Sequence, residues 1–369
     1  MPSTDSPPDG CAHARLRHGN SLCWYNVPRS PTLRNVHWLH IPKTGSTLAR
    51  VLLRATCGAV PANRTFELFT EASSMWPIIN AHCPGSFRYF ESSHAPLENT
   101  PGAECGSAAR QCVSMVRSPS QRVTSGFFHN LHDCAWLQRA HGLRDTMHPH
   151  EVAWQKFYAS HSNLTVRLYA RCVASCQSRM LTGRPCGRCS LVRNVERCIS
   201  LVWREAAADG ALATPDARDA RARAKDEARY RSDILWHAQA LRDQCVRNVD
   251  CAANKLVDHD DPYPSENLTV NAALHVLERF TFVGVQDEWN ASLDAFAWQV
   301  GSHAMPMASD FVVSHKGQRP AINPELTSST EALLRSLTFP ADDAIYRAAF
   351  TRLQATLARM PSRVLQKAI

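Results

Sequence analysis

Two stretches of the sequence hold residue types that grip phosphate. The first is His37-Trp38-Leu39-His40-Ile41-Pro42-Lys43-Thr44-Gly45-Ser46-Thr47-Leu48-Ala49-Arg50. It opens as a short apolar run that reads as a buried strand. It turns through Pro42-Lys43-Thr44-Gly45-Ser46-Thr47 and continues into Leu48, Ala49, Val51, Leu52 and Leu53 at the spacing of a helix core face. A strand, a tight glycine turn and a helix N-terminus together make an anion cradle, because unpaired backbone N–H groups and the positive end of the helix dipole point at what the loop encloses. Lys43 adds a mobile point charge, and Thr44, Ser46 and Thr47 add hydroxyl donors. Phosphate is the expected guest.

The second stretch runs from Val113 to Phe128 and repeats the design: an apolar run, a polar turn at Arg117-Ser118-Pro119, then a helix. Pro119 suits the first turn, where its missing N–H is not needed. Arg117 stands at the carboxyl end of the strand, and Ser125 lies inside the helix. Ligands of open parallel sheets sit beyond the carboxyl ends of the strands, which predicts Arg117 and Lys43 on one crevice. An arginine fork with a hydroxyl is a good receptor for a terminal phosphate. Arg122 has two readings, a second phosphate ligand or a solvated helix charge.

The first stretch is not the standard NTPase phosphate loop, since His37 and Pro42 occupy the two glycine positions of G-x-x-x-x-G-K-[ST]. It resembles the 5′-phosphosulfate loop of sulfotransferases that use 3′-phosphoadenylyl sulfate (PAPS). The form His-x-Pro-Lys-Thr-Gly-[Gly/Ser]-Thr is typical of the Golgi glycan branch, which includes the heparan sulfate 2-O- and 6-O-sulfotransferases. The second stretch resembles the 3′-phosphate segment of that family, Arg-x-Pro-x-x-Arg-x-x-Ser-x-[Phe/Tyr]. Phe280 to Leu293 resembles its Phe-x-Phe-Val-Gly-[Leu/Val]-x-Glu-x-[Tyr/Phe]-x-x-Ser-Leu block, with Asp287 at the acid and Trp289 at the aromatic position. Asp342 to Tyr346 resembles the closing Asp-x-x-[Leu/Ile]-Tyr helix. The Met180-Leu181-Thr182-Gly183 turn also has a counterpart in related enzymes.

The resemblance implies an α/β, three-layer P-loop-like sulfotransferase fold, with a mainly parallel central sheet flanked by helices. It implies transfer of a sulfuryl group from PAPS to an acceptor hydroxyl, on a polyanionic or neutral glycan, with no metal required. Pro42, Lys43, Thr44, Gly45, Ser46 and Thr47 would hold the 5′-phosphosulfate. Arg117 and Ser125, with Arg122 at the second arginine, would hold the 3′-phosphate. Lys43 would also stabilise the leaving group, and His94, after the strand at Phe87 to His94, would be the general base; its pKa class suits that task. Glu91 and Glu98 are the alternative bases, and His94 has the further reading of a strand-end histidine bonded to backbone. Lys316 and Arg319, in the basic turn 314–320, would close over the nucleotide or form a plain surface loop.

At 369 residues the chain is long enough for one large domain or two smaller ones. Residues 1–33 are rich in Pro, Ser, Asp and Gly and read as a disordered arm or stem, and residues 34–369 as the sulfotransferase domain. A helical, cysteine-rich and charged insertion covers about residues 151–265. Within it, 215–247 is dense in Ala, Arg, Asp and Glu and predicts a long exposed helix. The formal net charge of +8 fits an acidic partner such as a nucleotide or a glycan. Nucleic acid is not expected, because no binding motif is present and the basic residues are dispersed.

Fourteen cysteines point to an oxidising compartment. Cys172, Cys176, Cys186, Cys189 and Cys198 are spaced for either disulfides or a four-thiolate zinc site. Sequons stand at Asn63, Asn163, Asn267 and Asn290. Neither a signal peptide nor a membrane-spanning segment is visible. The expected setting is the Golgi lumen or membrane, with the anchor not in this chain and the cytoplasm as the alternative; the oligomeric state is not encoded. Three rival functions stand beside the glycan reading: a sulfotransferase for tyrosine or a small alcohol, a kinase on a P-loop-like sheet, and a non-catalytic glycan- or nucleotide-binding homologue. The missing Walker glycines disfavour the kinase.

Overall fold

Val36–Leu39 forms a strand because four residues with no turn signal can be buried on both faces, as strands of a parallel sheet are. A computed structural model of the chain describes residues 12–15, 21–24, 35–45, 48, 51–52, 87–89, 96–97, 105–106, 110–143, 163–189, 195–209, 217–247, 266–300 and 324–360. These divide into two compact units. Unit 1 takes Met1–Arg117, Leu274–Lys316 and Ile345–Ile369, and unit 2 takes Ser118–Ala273 and Gly317–Ala344.

Unit 1 is built on a four-stranded parallel sheet of β3 (Val36–Leu39), β4 (Phe87–Tyr89), β5 (Gln111–Val116) and β6 (Phe282–Val285), in the order β4-β3-β5-β6. Two short strands, β1 (Ala12–Arg15) and β2 (Ser21–Trp24), pair antiparallel as a separate ribbon within the residue 1–33 segment. The four sheet strands fall within or against the apolar runs of the sequence. The polar residues inside them find partners. Ser114 on β5 is fully buried and donates its hydroxyl to Leu39 O at 2.7 Å. His37 on β3 is buried and bonds Arg110 through Nδ1 at 2.9 Å. Such pairing removes the cost of placing a polar group in the core. Where β5 and β6 meet, Gly284 opposes Met115, and a β-carbon at Gly284 would lie 2.2 Å from Met115 Sδ. Only glycine fits there, which accounts for the Phe-Val-Gly-Val sequence of β6.

Leu48, Val51 and Leu52 are helical and buried, so the strand–turn–helix expected from the first motif is present. A 3-10 turn (Gln286–Glu288) leads from β6 into α8 (Trp289–Val300), which packs on β6. Phe282 and Phe296 meet edge to face across that contact. The late chain forms α10 (Pro340–Leu357), from which Arg352 donates to Leu277 O at 2.7 Å and to Phe280 O, covering the open C-terminal carbonyls of α7 (Glu266–Glu278).

Unit 2 is helical. α1 (Pro119–Phe127) begins with its proline in the first turn, as predicted. It packs with α3 (Asn163–Cys172) and α9 (Pro324–Ser336), while α5 (Val195–Ala208) joins α3 to α6 (Ala217–Arg247), and α6 also covers α2 (Ala135–Ala140). α6 is the long helix the charged sequence predicts, but it is not exposed on every side. Ile234 and Ala238 are buried, and the Tyr230 hydroxyl bonds His141 Nε2 at 2.7 Å and Thr165 at 3.1 Å.

Disulfides staple this helical unit: Cys134–Cys172, Cys176–Cys186 and Cys189–Cys198, with Cys105–Cys112 in unit 1. The zinc alternative for the cysteine cluster is thereby corrected, because every one of its sulfurs is covalently paired and none is left as a thiolate ligand. No helix among the described residues is long and apolar enough to cross a membrane.

Candidate functional site

The strand order β4-β3-β5-β6 places a topological switch between β3 and β5, since the chain leaves β3 towards β4 on one side and crosses back to β5 on the other. Open parallel sheets bind ligands at that point, beyond the carboxyl ends of the strands. Lys43 follows β3 there and Arg117 follows β5. They meet: Arg117 Nη1 donates to Lys43 O at 3.3 Å.

The Lys43 loop is a hydrogen-bonded turn. Thr44 N–H donates to Ile41 O at 3.3 Å, with Pro42 at the second position and Lys43 at φ 63° in the third. This is the pattern of a type II turn, whose third position favours glycine. A lysine held there costs on the order of 1–2 kcal/mol of backbone strain. Such strain persists only where the surroundings enforce it, and it clusters at functional sites. Gly45 follows at φ 108°, and Leu48 N–H donates to Gly45 O at 3.1 Å as the helix begins.

Thr44 does not offer the hydroxyl expected of it. Its side chain is buried and donates its one hydrogen to Ile41 O at 2.7 Å. It therefore braces the turn, and the expectation of a Thr44 hydroxyl on phosphate is corrected on that ground.

Three residues outside the two phosphate motifs complete the described site, all from segments that read as structural in the sequence. Trp289, at the start of α8, lies against Gly45. Asp287 stands 4.0 Å from Arg117 Nε through Oδ1. Tyr346 donates a hydrogen bond to Asp287, and its hydroxyl is pushed up to about 12, first by burial and then by the charge and hydrogen bond of Asp287. Tyr346 is thus a standing donor at physiological pH. A relay of Tyr346, Asp287 and Arg117 ends on the Lys43 carbonyl and fixes where the Arg117 fork points. The resemblance of 280–293 and 342–346 to one family's blocks was the available signal that these positions belong near the site.

Arg122 is neither a solvated charge nor a free phosphate ligand. It is 2% exposed, and Nη2 reaches Asp342 Oδ2 at 3.3 Å and Val173 O at 2.7 Å. Asp342 is itself fully buried and accepts from Ser178 N–H at 3.1 Å. Burial pushes the Asp342 carboxyl up, while Arg122 and the N–H groups of Ser178 and Gln177 pull it back towards ionisation. Both readings of Arg122 are corrected by this pairing inside unit 2: its charge is committed to the interior.

Ser125 is half-buried on α1 in unit 2, whereas Lys43 and Arg117 belong to unit 1. Ser46, Thr47, His94, Glu91, Glu98, Lys316 and Arg319 lie outside the described residues. Among the described residues no group of three or more His, Cys, Asp or Glu side chains could hold a metal ion.

Comparison with protein-family models, with curated proteins and with solved structures finds no match to this chain.

Proposed function

We propose that this protein transfers a sulfuryl group from PAPS to an acceptor hydroxyl, on a carbohydrate in the first instance. The observation that carries the reading is the bond from Arg117 to the Lys43 carbonyl. It joins, at the switch point of a parallel sheet, the two segments that resemble the 5′-phosphosulfate and 3′-phosphate elements of one enzyme family. Lys43 neutralises charge on the bridging oxygen as the bisphosphate departs, and the loop from Gly45 onward offers backbone N–H groups to the 5′-phosphate. Arg117 takes the 3′-phosphate. His94 accepts the proton of the attacking hydroxyl. Displacement is in line through a loose transition state, as in phosphoryl transfer, so positioning and charge neutralisation do most of the work.

The disulfides support an oxidising compartment, for which the Golgi lumen is the proposed instance. Calorimetry with 3′-phosphoadenosine 5′-phosphate tests the reading on wild type and on Arg117→Ala. Binding that weakens by about 1.5–3 kcal/mol in the variant, the loss of a charged hydrogen-bond partner, is expected. Folded wild-type protein that does not bind the nucleotide would remove the sulfotransferase reading.

A further inference from the structure

Unit 2 contains a cleft of about 160 Å³ whose lining includes Arg179, Arg184 and Arg188. Glu205 is the one carboxylate among its described lining residues. Arg188 is answered by Glu205, which takes both of its terminal nitrogens, one at 3.0 Å, and Arg188 also donates to Arg171 O at 3.3 Å. That pairing fixes the Arg188 fork and offsets its charge. Arg179 and Arg184 bring two further guanidinium groups to the same cleft, and Arg179 is only 6% exposed.

The backbone holds this arrangement in place before any ligand arrives. Arg179 lies on α4 (Cys176–Leu181), and Arg184 N–H donates to Arg179 O at 2.8 Å. Cys186, between Arg184 and Arg188, is joined to Cys176 at the start of α4, and Cys189 is joined to Cys198 on α5. Each arginine is thus within three residues of a covalent staple. A site ordered in advance loses little entropy on binding. Ser178 and Thr269 also line the cleft.

We propose that this cleft is a binding site for a tetrahedral oxyanion, the group presented by a sulfate ester or a phosphate. Arginine forks suit such groups because each presents parallel N–H donors to two oxygens. The inference does not depend on PAPS being the sulfuryl donor.

The test is the thermal midpoint of the full-length protein in sodium sulfate, sodium phosphate and sodium chloride at matched ionic strength. A specific site gives a saturable rise that chloride does not give, whereas general salting effects do not saturate. Arg184→Gln should abolish the saturable part for sulfate or phosphate. Arg184→Lys, which keeps the charge and loses the fork, should raise the half-saturating concentration about tenfold. Lys43→Ala should keep the Arg184-dependent part of the response, which separates this cleft from the nucleotide loop. A response lost in Lys43→Ala but kept in Arg184→Gln would overturn the proposal, as would its absence from the wild type. Nucleotide binding is read separately by calorimetry, so either idea can fail without the other.

Discussion

Gly45 sits beneath Trp289 so closely that a β-carbon on the glycine would come within 2.9 Å of the indole Cζ3. The loop proposed to hold the 5′-phosphate therefore rests on an aromatic floor supplied from a segment more than two hundred residues later. Gly45→Ala meets two obstacles, the ring and a backbone at φ 108°. The expected cost is about 1–3 kcal/mol in urea unfolding, with a matching loss of nucleotide affinity. Gly45→Ala combined with Trp289→Leu should recover only the steric part, because the backbone strain remains. Full recovery in the double variant would show that φ is not a constraint here.

Lys43 gives a prediction in which stability and activity separate. Its φ of 63° is unfavourable for lysine and free for glycine. Relief of that strain in Lys43→Gly exceeds or balances the added freedom of the unfolded chain, so stability should be unchanged or higher by up to about 1 kcal/mol. The proposed sulfuryl transfer should fall by roughly a hundredfold or more, as for loss of a group that neutralises transition-state charge. A glycine variant that keeps full turnover would rule out the role given to Lys43.

Removal of one partner of the Arg122–Asp342 pair strands a charge in the interior of unit 2. Arg122→Met should lower stability by about 3–5 kcal/mol in chemical denaturation. The double replacement Arg122→Met with Asp342→Leu removes both charges and should be far milder than the single one. Nucleotide affinity in that folded double variant should match wild type, since Arg122 is assigned no ligand contact. A selective loss of 3′-phosphoadenosine 5′-phosphate binding would return Arg122 to the site.

Asp294 on α8 has its carboxyl pushed up to about 6 by burial. The folded protein then holds this proton more tightly than the unfolded chain, so its contribution is most favourable at low pH. Stability is lost as pH rises from about 4 to about 6, and the loss is complete above that range. Asp294→Asn should be more stable than wild type by about 1–3 kcal/mol at pH 7.5 and similar to it below pH 4. Unfolding curves at the two pH values decide; an equal offset at both would show that ionisation is not the cause.

Local features of the site are legible in the sequence. The turn at Pro42-Lys43-Thr44-Gly45 and the helix start at Pro119 are written in neighbouring residues, because proline and glycine restrict or extend their own backbone angles. Apolar runs opening at Val36, Val113 and Phe280 mark the buried strands observed at 36–39, 111–116 and 282–285, for the same local reason. The resemblance to sulfotransferase phosphate loops is likewise carried by contiguous residues, and so it was available at once.

The strand–turn–helix loops, the strand and helix segments and an oxidising cysteine content are thus all legible in contiguous residues. Which of those segments become neighbours depends on long-range pairing. Arg117 and Lys43, 74 residues apart, meet because β5 pairs with β3, a choice made by register between distant strands. Arg122 goes inside because Asp342, 220 residues on, is there to receive it; helical periodicity does not record a partner at that distance. Cys172 bonds Cys134 rather than a member of its own cluster. In each case the deciding energy is a contact between distant residues, and that energy exists only once the chain has closed the loop between them.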